Sequence, residues 1–415
     1  MSELSEITAE RIISDDAYGN LGYPWREWDI LRAQSPVHPF LDWDIPFHAV
    51  TRHEAIAQVG KTPEIWQNGP RLIIGNMEES TDLDFDRPPT LIEMDPPMHA
   101  QHRMLIAKKF TPRNVRKLHP DIERICGKIV DDLLEQGGDT EVDFVDRVSA
   151  PVPIAVIAWM LGVPESDWEL IFDWTNQQLG SNDPEYSGEE DASVVATRAL
   201  VEMFTYFTGL VEKRKKDPKD DLISLFCNAE VDGKPLELIQ ILAWCQIIMV
   251  AGNETTRNGT SRGLMALIDN PDQLHLFQSD PDNLMKPMLE EILRWTSPII
   301  HFARTASCDT ELQGTKFKQG DHIAIFFPSA NRQEDLFADP YKFRIDRFPN
   351  NHLAFGVGEH FCAGAHIARL ELEMIFKHLL PRIEEIELAG EPSRLHSNLV
   401  GGIKRLPIRY RLRAA

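Results

Sequence analysis

The chain has none of the cysteine pairing that marks a disulfide scaffold or a zinc protein. Its five cysteines (Cys126, Cys227, Cys245, Cys308, Cys362) are odd in number, widely spaced and free of any CxxC pair, so a reducing cytosol is the default expectation. A long apolar run is also missing. The longest, Ile241 to Gly252, falls well short of the ~20 residues that span a bilayer. It is interrupted by Gln246 and followed at once by Asn253, Glu254 and Arg257, so a buried core helix is expected there. The start, MSELSEITAERI, carries no signal-peptide core, and a cytoplasmic protein without a membrane anchor is expected. Basic residues are scarce, 43 against 65 acidic ones for a net charge of −22, which disfavours nucleic acid or an anionic membrane as a general partner. Repeats and low-complexity linkers are absent too, and a single domain over residues 1–415 is expected.

What is present suffices for a large core, since 42% of 415 residues are apolar. Helical periodicity dominates from about Asn114 to Thr296, broken by turn signals such as LGVPESD and DPKDD. Short strand-like stretches stand outside it: PFHAVTR, TELQG, DHIAIFF and LPIRYRL. Strands separated by long helical tracts predict a mainly α domain with small peripheral β-sheets, because a doubly wound sheet needs regular alternation. Residues 66–90 and 176–192 are rich in turn residues and acids. They are either lids over a binding site or solvated surface loops.

The most informative segment is FGVGEHFCAG, Phe355 to Gly364. Three glycines in ten residues indicate tight turns or close backbone approach. Cys362 stands just before a helical pattern in which Ile367, Leu370, Met374 and Leu379 share a face. Backbone N–H groups and the macrodipole at a helix start favour thiolate over thiol. A lone cysteine is most often a small buried hydrophobe, and the other four cysteines are read that way. Here Phe355, Gly358, His360, Cys362 and Gly364 resemble the FxxGxHxCxG haem-binding signature of cytochromes P450. That resemblance implies the helical cytochrome P450 fold, haem b as cofactor, Cys362 as the iron ligand, and Phe355, Gly356 and Gly364 against the cofactor. A thiolate is the ligand that promotes O–O cleavage by electron donation.

Further motifs extend the resemblance from about residue 90 to 405. AGNETT, residues 251–256, matches the family's acid–alcohol pair with Glu254 and Thr255, the groups that would relay protons to oxygen. Gly252 and a back-bonding Thr255 would also loosen the helix there. Glu291 and Arg294 form ExxR, with Arg347 as the expected third member of a structural pair. By resemblance His99, Arg103, Arg304 and His360 contact haem propionates, which require cationic or hydrogen-bonding partners. The substrate pocket implied by resemblance comprises Leu72, Ile73, Ile74, Ile248, Ala251, Ile299, Ile300, His301, Phe302 and Val400. Most are apolar, as a lipophilic ligand requires. His301 is either a polar substrate contact or a satisfied core histidine.

The implied activity is O2- and electron-dependent hydroxylation of a hydrophobic small molecule. AGNETTR, ARTA and SANRQED resemble bacterial branches acting on terpenoids, sterol side chains, branched lipids or alkanes. A basic run, Arg103 to Lys117, stands out from the acidic whole. In the family this helix faces an acidic ferredoxin, so Lys109, Arg113 and Arg116 are expected to dock one. No flavin or ferredoxin domain is visible, so electrons are expected from a separate ferredoxin and its reductase, to a monomer. The alternatives are a peroxide-driven peroxygenase, against which Glu254 and Thr255 speak, a non-catalytic haem sensor or carrier, and a haem-free helical binding protein.

Overall fold

The apolar run at 241–252 lies inside a helix of 32 residues, Leu238–Asp269. The computed structural model in which it is seen describes residues 3–75, 88–135, 141–179, 183, 185, 188 and 190–413. Glu237 and Gln240 form a capping box at its start, each side chain satisfying the other's backbone N–H. Helices Pro151–Leu161, Trp168–Leu179, Pro281–Thr296 and Ala365–Leu379 pack around it. Among the described residues two helices, Ser193–Lys216 and Leu238–Asp269, are long and apolar enough to cross a membrane. The second is enclosed by those neighbours, which makes it the core helix expected.

Gly252 on this helix has a packing reason that composition could not reveal. A Cβ there would meet Ile157 Cδ1 at 2.7 Å, so the missing side chain admits the neighbouring helix. Helix Pro112–Leu134 opens on a Thr111 cap that accepts from Asn114 N–H. It buries Val115, Ile122, Cys126, Val130 and Leu133, a helical stripe facing Ala365–Leu379. Ile367, Leu370, Met374 and Leu379 form the buried face of that second helix, as their spacing predicts.

The sheets are small and peripheral. A five-stranded sheet runs in the order Val37–Phe40, Phe47–Val50, His322–Phe326, His301–Ala306, Trp66–Gln67. Among the described residues its one parallel pair is Phe47–Val50 beside His322–Ile325. Ile383–Leu388, Pro407–Leu412 and Val142–Asp143 make a second sheet. The four strand-like stretches read from sequence are all strands. His301–Ala306 was missed because it is buried on both faces, apart from half-buried Phe302, and a doubly buried strand shows no alternation. Of the two turn-rich segments, 76–87 and most of 180–189 lie outside the described residues.

Candidate functional site

Cys362 is placed by a loop closed on itself. Its N–H donates to the Phe355 carbonyl at 2.9 Å, and the helix begins three residues later at Ala365. Burial pushes the thiol up, while N–H groups of Gly364 and Ala365 and the charges of Arg103 and Arg369 act the other way. At Cys126, Cys227 and Cys245 burial is the largest influence and also pushes the thiol up. Cys126 and Cys245 are buried apolar positions, Cys227 is half-buried and Cys308 is exposed.

A cluster of two arginines and two histidines lies beside this loop. Arg103 Nη2 donates to the Phe361 carbonyl at 2.7 Å. His99 is buried, its ring 4.0 Å centroid to centroid from His360, and neither of its ring nitrogens has a hydrogen-bond partner among the described residues. The Glu359 carboxylate, 3.7 Å from His99 Nδ1, is near enough for charge but too far for a hydrogen bond. Burial first, then the neighbouring His99, Arg304 and Arg103, drive His360 down to about 3. Arg304 is buried and burial lowers it to about 10, with Asp95 as its opposing charge. Asp95 already accepts from the N–H groups of Asn68 and Gly69 at 2.7 and 3.1 Å. Arg304 Nη1 donates to the Ala303 carbonyl at 2.7 Å, so two guanidinium groups and the unpartnered ring nitrogens of His99 surround one carboxylate, a positive balance that suits an incoming anionic group.

Asn68 belongs to the cluster although its sequence gave no signal. Its Nδ2 donates to the Ile92 carbonyl at 2.6 Å and lies 3.0 Å from His360 Nε2. Phe355, Gly356 and Gly364 all fall in the cysteine loop, half-buried. A half-buried thiol at a helix start, beside Arg103, Arg304 and the unpartnered ring nitrogens of His99, fits haem with its two carboxylates. Among the described residues no group of three or more His, Cys, Asp or Glu converges as a protein-only metal site.

On the long helix, Thr255 Oγ1 donates back to the Ala251 carbonyl at 2.8 Å. Asn258, Thr260 and Ser261 bond back in the same way. Glu254 is buried and ion-paired to Arg257 at 2.7 Å. Arg257 also donates to Asn176 Oδ1 at 2.8 Å, which ties this carboxylate to helix Trp168–Leu179. Ala251 is exposed, and Ile247, Val250 and Thr255 are half-buried beside it. That is one helical face. Ile248, three residues before Ala251 and seven before Thr255, shares their side of the helix and is buried against the main core. Ile247 also lines a cleft with Thr90, Leu91, Met94, His102 and Trp244.

Leu72, Ile73, Ile299 and Phe302 are half-buried, whereas Ile74, Ile300 and Val400 are buried. Ile299 and Val400 face each other across an isolated bridge. His301 is the satisfied core histidine. Its Nδ1 lies 2.8 Å from the Asn398 carbonyl, and its Nε2 accepts from Ile74 N–H at 3.1 Å. Burial pushes it down to about 4. Its ring thus fastens the 72–74 segment to the C-terminal turn, and Ile74 joins it as a core position.

The ExxR pair is fully buried. Glu291 takes Arg294 Nε and Nη2, both at 2.8 Å, and Arg347 Nε at 3.0 Å. Arg344 N–H and Asn350 Nδ2 complete its shell. On the surface, Arg113 and Arg116 are exposed without an ion-pair partner among the described residues, while Lys109 pairs with exposed Asp220 at 2.6 Å.

Residues 194–409 match the sequence profile of the family described as Cytochrome P450. The chain is 35% identical to Cytochrome P450-terp of a Pseudomonas species, over 98% of both chains. It is 35% identical to the Methyl-branched lipid omega-hydroxylase of Mycobacterium tuberculosis, over 87% of this chain and 83% of that one. The crystal structure of CYP108D1 from Novosphingobium aromaticivorans superposes with a TM-score of 0.88 at 32% identity, covering 100% of this chain and 99% of that one.

Proposed function

Because the chain belongs to the cytochrome P450 family and is a monooxygenase of it, we propose that it hydroxylates a terpenoid, steroid or lipid-type molecule with electrons from a ferredoxin. Haem b, when bound, supplies the iron at which O2 is reduced and split. Cys362 would be its protein ligand, and Arg103, Arg304, His99, His360 and Asn68 would hold its propionates. The observation that carries the reading is the loop 355–364, which presents one thiol at a helix start beside two arginines and the unpartnered ring of His99.

The chain's own residues divide the remaining work. Ile247, Val250 and Ala251 offer an apolar helical face on which a hydrophobic substrate is held by area burial. The names of the Pseudomonas and Mycobacterium relatives support a branched, hydrophobic substrate. Thr255 holds a hydroxyl proton at that face, now donated to Ala251. Glu254 is the acid one residue away, and its proton transfer requires its carboxylate to exchange Arg257 for the Thr255 side. Arg113 and Arg116 present a free positive surface to an acidic ferredoxin. In this reading residues 1–415 act as one catalytic domain, monomeric and cytoplasmic.

The test is O2- and reductant-dependent product formation on a panel of terpenes, steroids, fatty acids and alkanes. Reductant consumption that depends on substrate, with Thr255→Ala diverting it from product to peroxide, supports the reading. Turnover supported by peroxide alone, with no gain from an electron donor, overturns it.

A further inference from the structure

Glu290 stands beside the scaffold residue Glu291, but its carboxylate serves a different part of the molecule. It accepts from Arg369 Nε at 2.6 Å and Nη2 at 2.8 Å, a two-pronged pair. His352 Nε2 lies 3.0 Å from the same carboxylate, and His352 Nδ1 accepts from the Ala354 N–H at 3.2 Å. The second contact leaves the ring proton on Nε2, where it points at Glu290. Burial pushes Glu290 up, but the bonds from Arg369 and His352 outweigh it and hold the carboxyl at about 2.

Arg369 lies in the second turn of the helix that follows Cys362. Its guanidinium sits 4.5 Å from the centroid of the Phe355 ring, a cation–π distance. Arg369 Nη1 also donates to the Ala365 carbonyl at 3.3 Å, at the start of that helix, and the Phe355 carbonyl accepts the Cys362 N–H at 2.9 Å, so the guanidinium lies against the residue that holds the cysteine. A single carboxylate therefore grips the cysteine loop at its front, through His352, and the cysteine helix at its rear, through Arg369, with Phe355 against the rear grip. The scaffold helix Pro281–Thr296 thus reaches the cysteine loop by a route separate from Glu291, Arg294 and Arg347.

We propose that Arg369 is a positioning residue for the cysteine ligand: gripped by Glu290, it holds the Phe355 ring and keeps a fixed positive charge against the cysteine loop, favouring the ferrous form of bound haem. The proposal rests on Cys362 being the iron ligand. Adding one electron to the ferric centre adds negative charge beside the sulfur, and a fixed cation in partly desolvated surroundings stabilises it. The donor protein supplies that electron.

The experiment is a redox titration of the haem-loaded full chain and its Arg369→Gln, Glu290→Gln and Lys377→Gln variants. Arg369→Gln removes the cation and shifts the reduction equilibrium toward ferric by about tenfold, which is about 59 mV for one electron. Glu290→Gln keeps an oxygen for Arg369 but removes the neutralising charge, so it shifts the equilibrium toward ferrous. Opposite signs are the signature, because a merely loosened loop would move both variants the same way. Lys377 is exposed and paired with Glu123 further along the helix, and its variant stays at the parent value. Shifts of one sign, no shift, or a Lys377→Gln shift equal to that of Arg369→Gln overturn the proposal. Should Arg369→Gln fail to take up haem, Glu290→Gln decides alone, and a shift toward ferric or none overturns it. A parent protein without the red-shifted ferrous carbonyl band of thiolate ligation would instead refute the ligand assignment itself.

Discussion

Gly358 lies so close to Gly60 that a Cβ on it would stand 1.7 Å from the Gly60 carbonyl oxygen. Its backbone is also left-handed, at φ +79°, a region where a side chain costs about 1–3 kcal/mol before any clash. The cysteine loop is therefore seated directly on the end of helix His53–Lys61. Gly358→Ala must push the loop away from that seat. The expected result is lower haem content per chain and a lower unfolding midpoint, both measurable by absorbance and denaturant titration.

Glu291 is the shared acceptor of two buried arginines. Glu291→Ala leaves both guanidinium groups without their carboxylate, and loss of one partner of a buried pair typically costs about 3–5 kcal/mol. Chemical denaturation should show a loss of that size, with little folded holoprotein recovered.

Glu371, on the cysteine helix, is buried and raised to about 8 by that burial, against which a hydrogen bond from Thr256 acts. Its folded value lies above the ordinary 4.5. The folded carboxyl keeps its proton while the unfolded one loses it, so stability falls as pH rises from about 4.5 to 8. The slope from this group is at most about 1.4 kcal/mol per pH unit. Glu371→Gln should remove that component, so the variant gains on the parent as pH rises through this window. Unfolding curves at several pH values check it.

Arg113 and Arg116 are exposed and unpaired among the described residues, whereas the Lys109 charge is already met by Asp220. Neutralising the two arginines should slow reduction by an acidic ferredoxin severalfold at low salt and flatten its salt dependence. Neutralising Lys109 alone should do less. Stopped-flow reduction at a series of ionic strengths separates the two.

Much of this site was readable from sequence because its residues sit at short, fixed spacings. The cysteine loop, the Glu291–Arg294 pair and the back-bonded Thr255 each depend on neighbours within a few positions. Contacts between distant segments were not readable. Asn68 reaches His360, and Glu290 reaches Arg369, only once the chain is folded. Burial was the other limit, because spacing along a helix does not tell which of its apolar residues a neighbouring helix covers. His301 sits in a strand buried almost throughout, where no alternation distinguishes pocket from core, and its two ring contacts lie 227 and 97 residues away.

The central claim is that the Cys362 sulfur ligates haem iron. The most direct measurement is the absorption spectrum of the reduced, carbon monoxide-treated protein beside its Cys362→Ser variant. The account predicts the red-shifted carbonyl band of thiolate ligation in the parent and its loss in the variant. A parent without that band, or a variant whose spectrum is the same as the parent's, would contradict it.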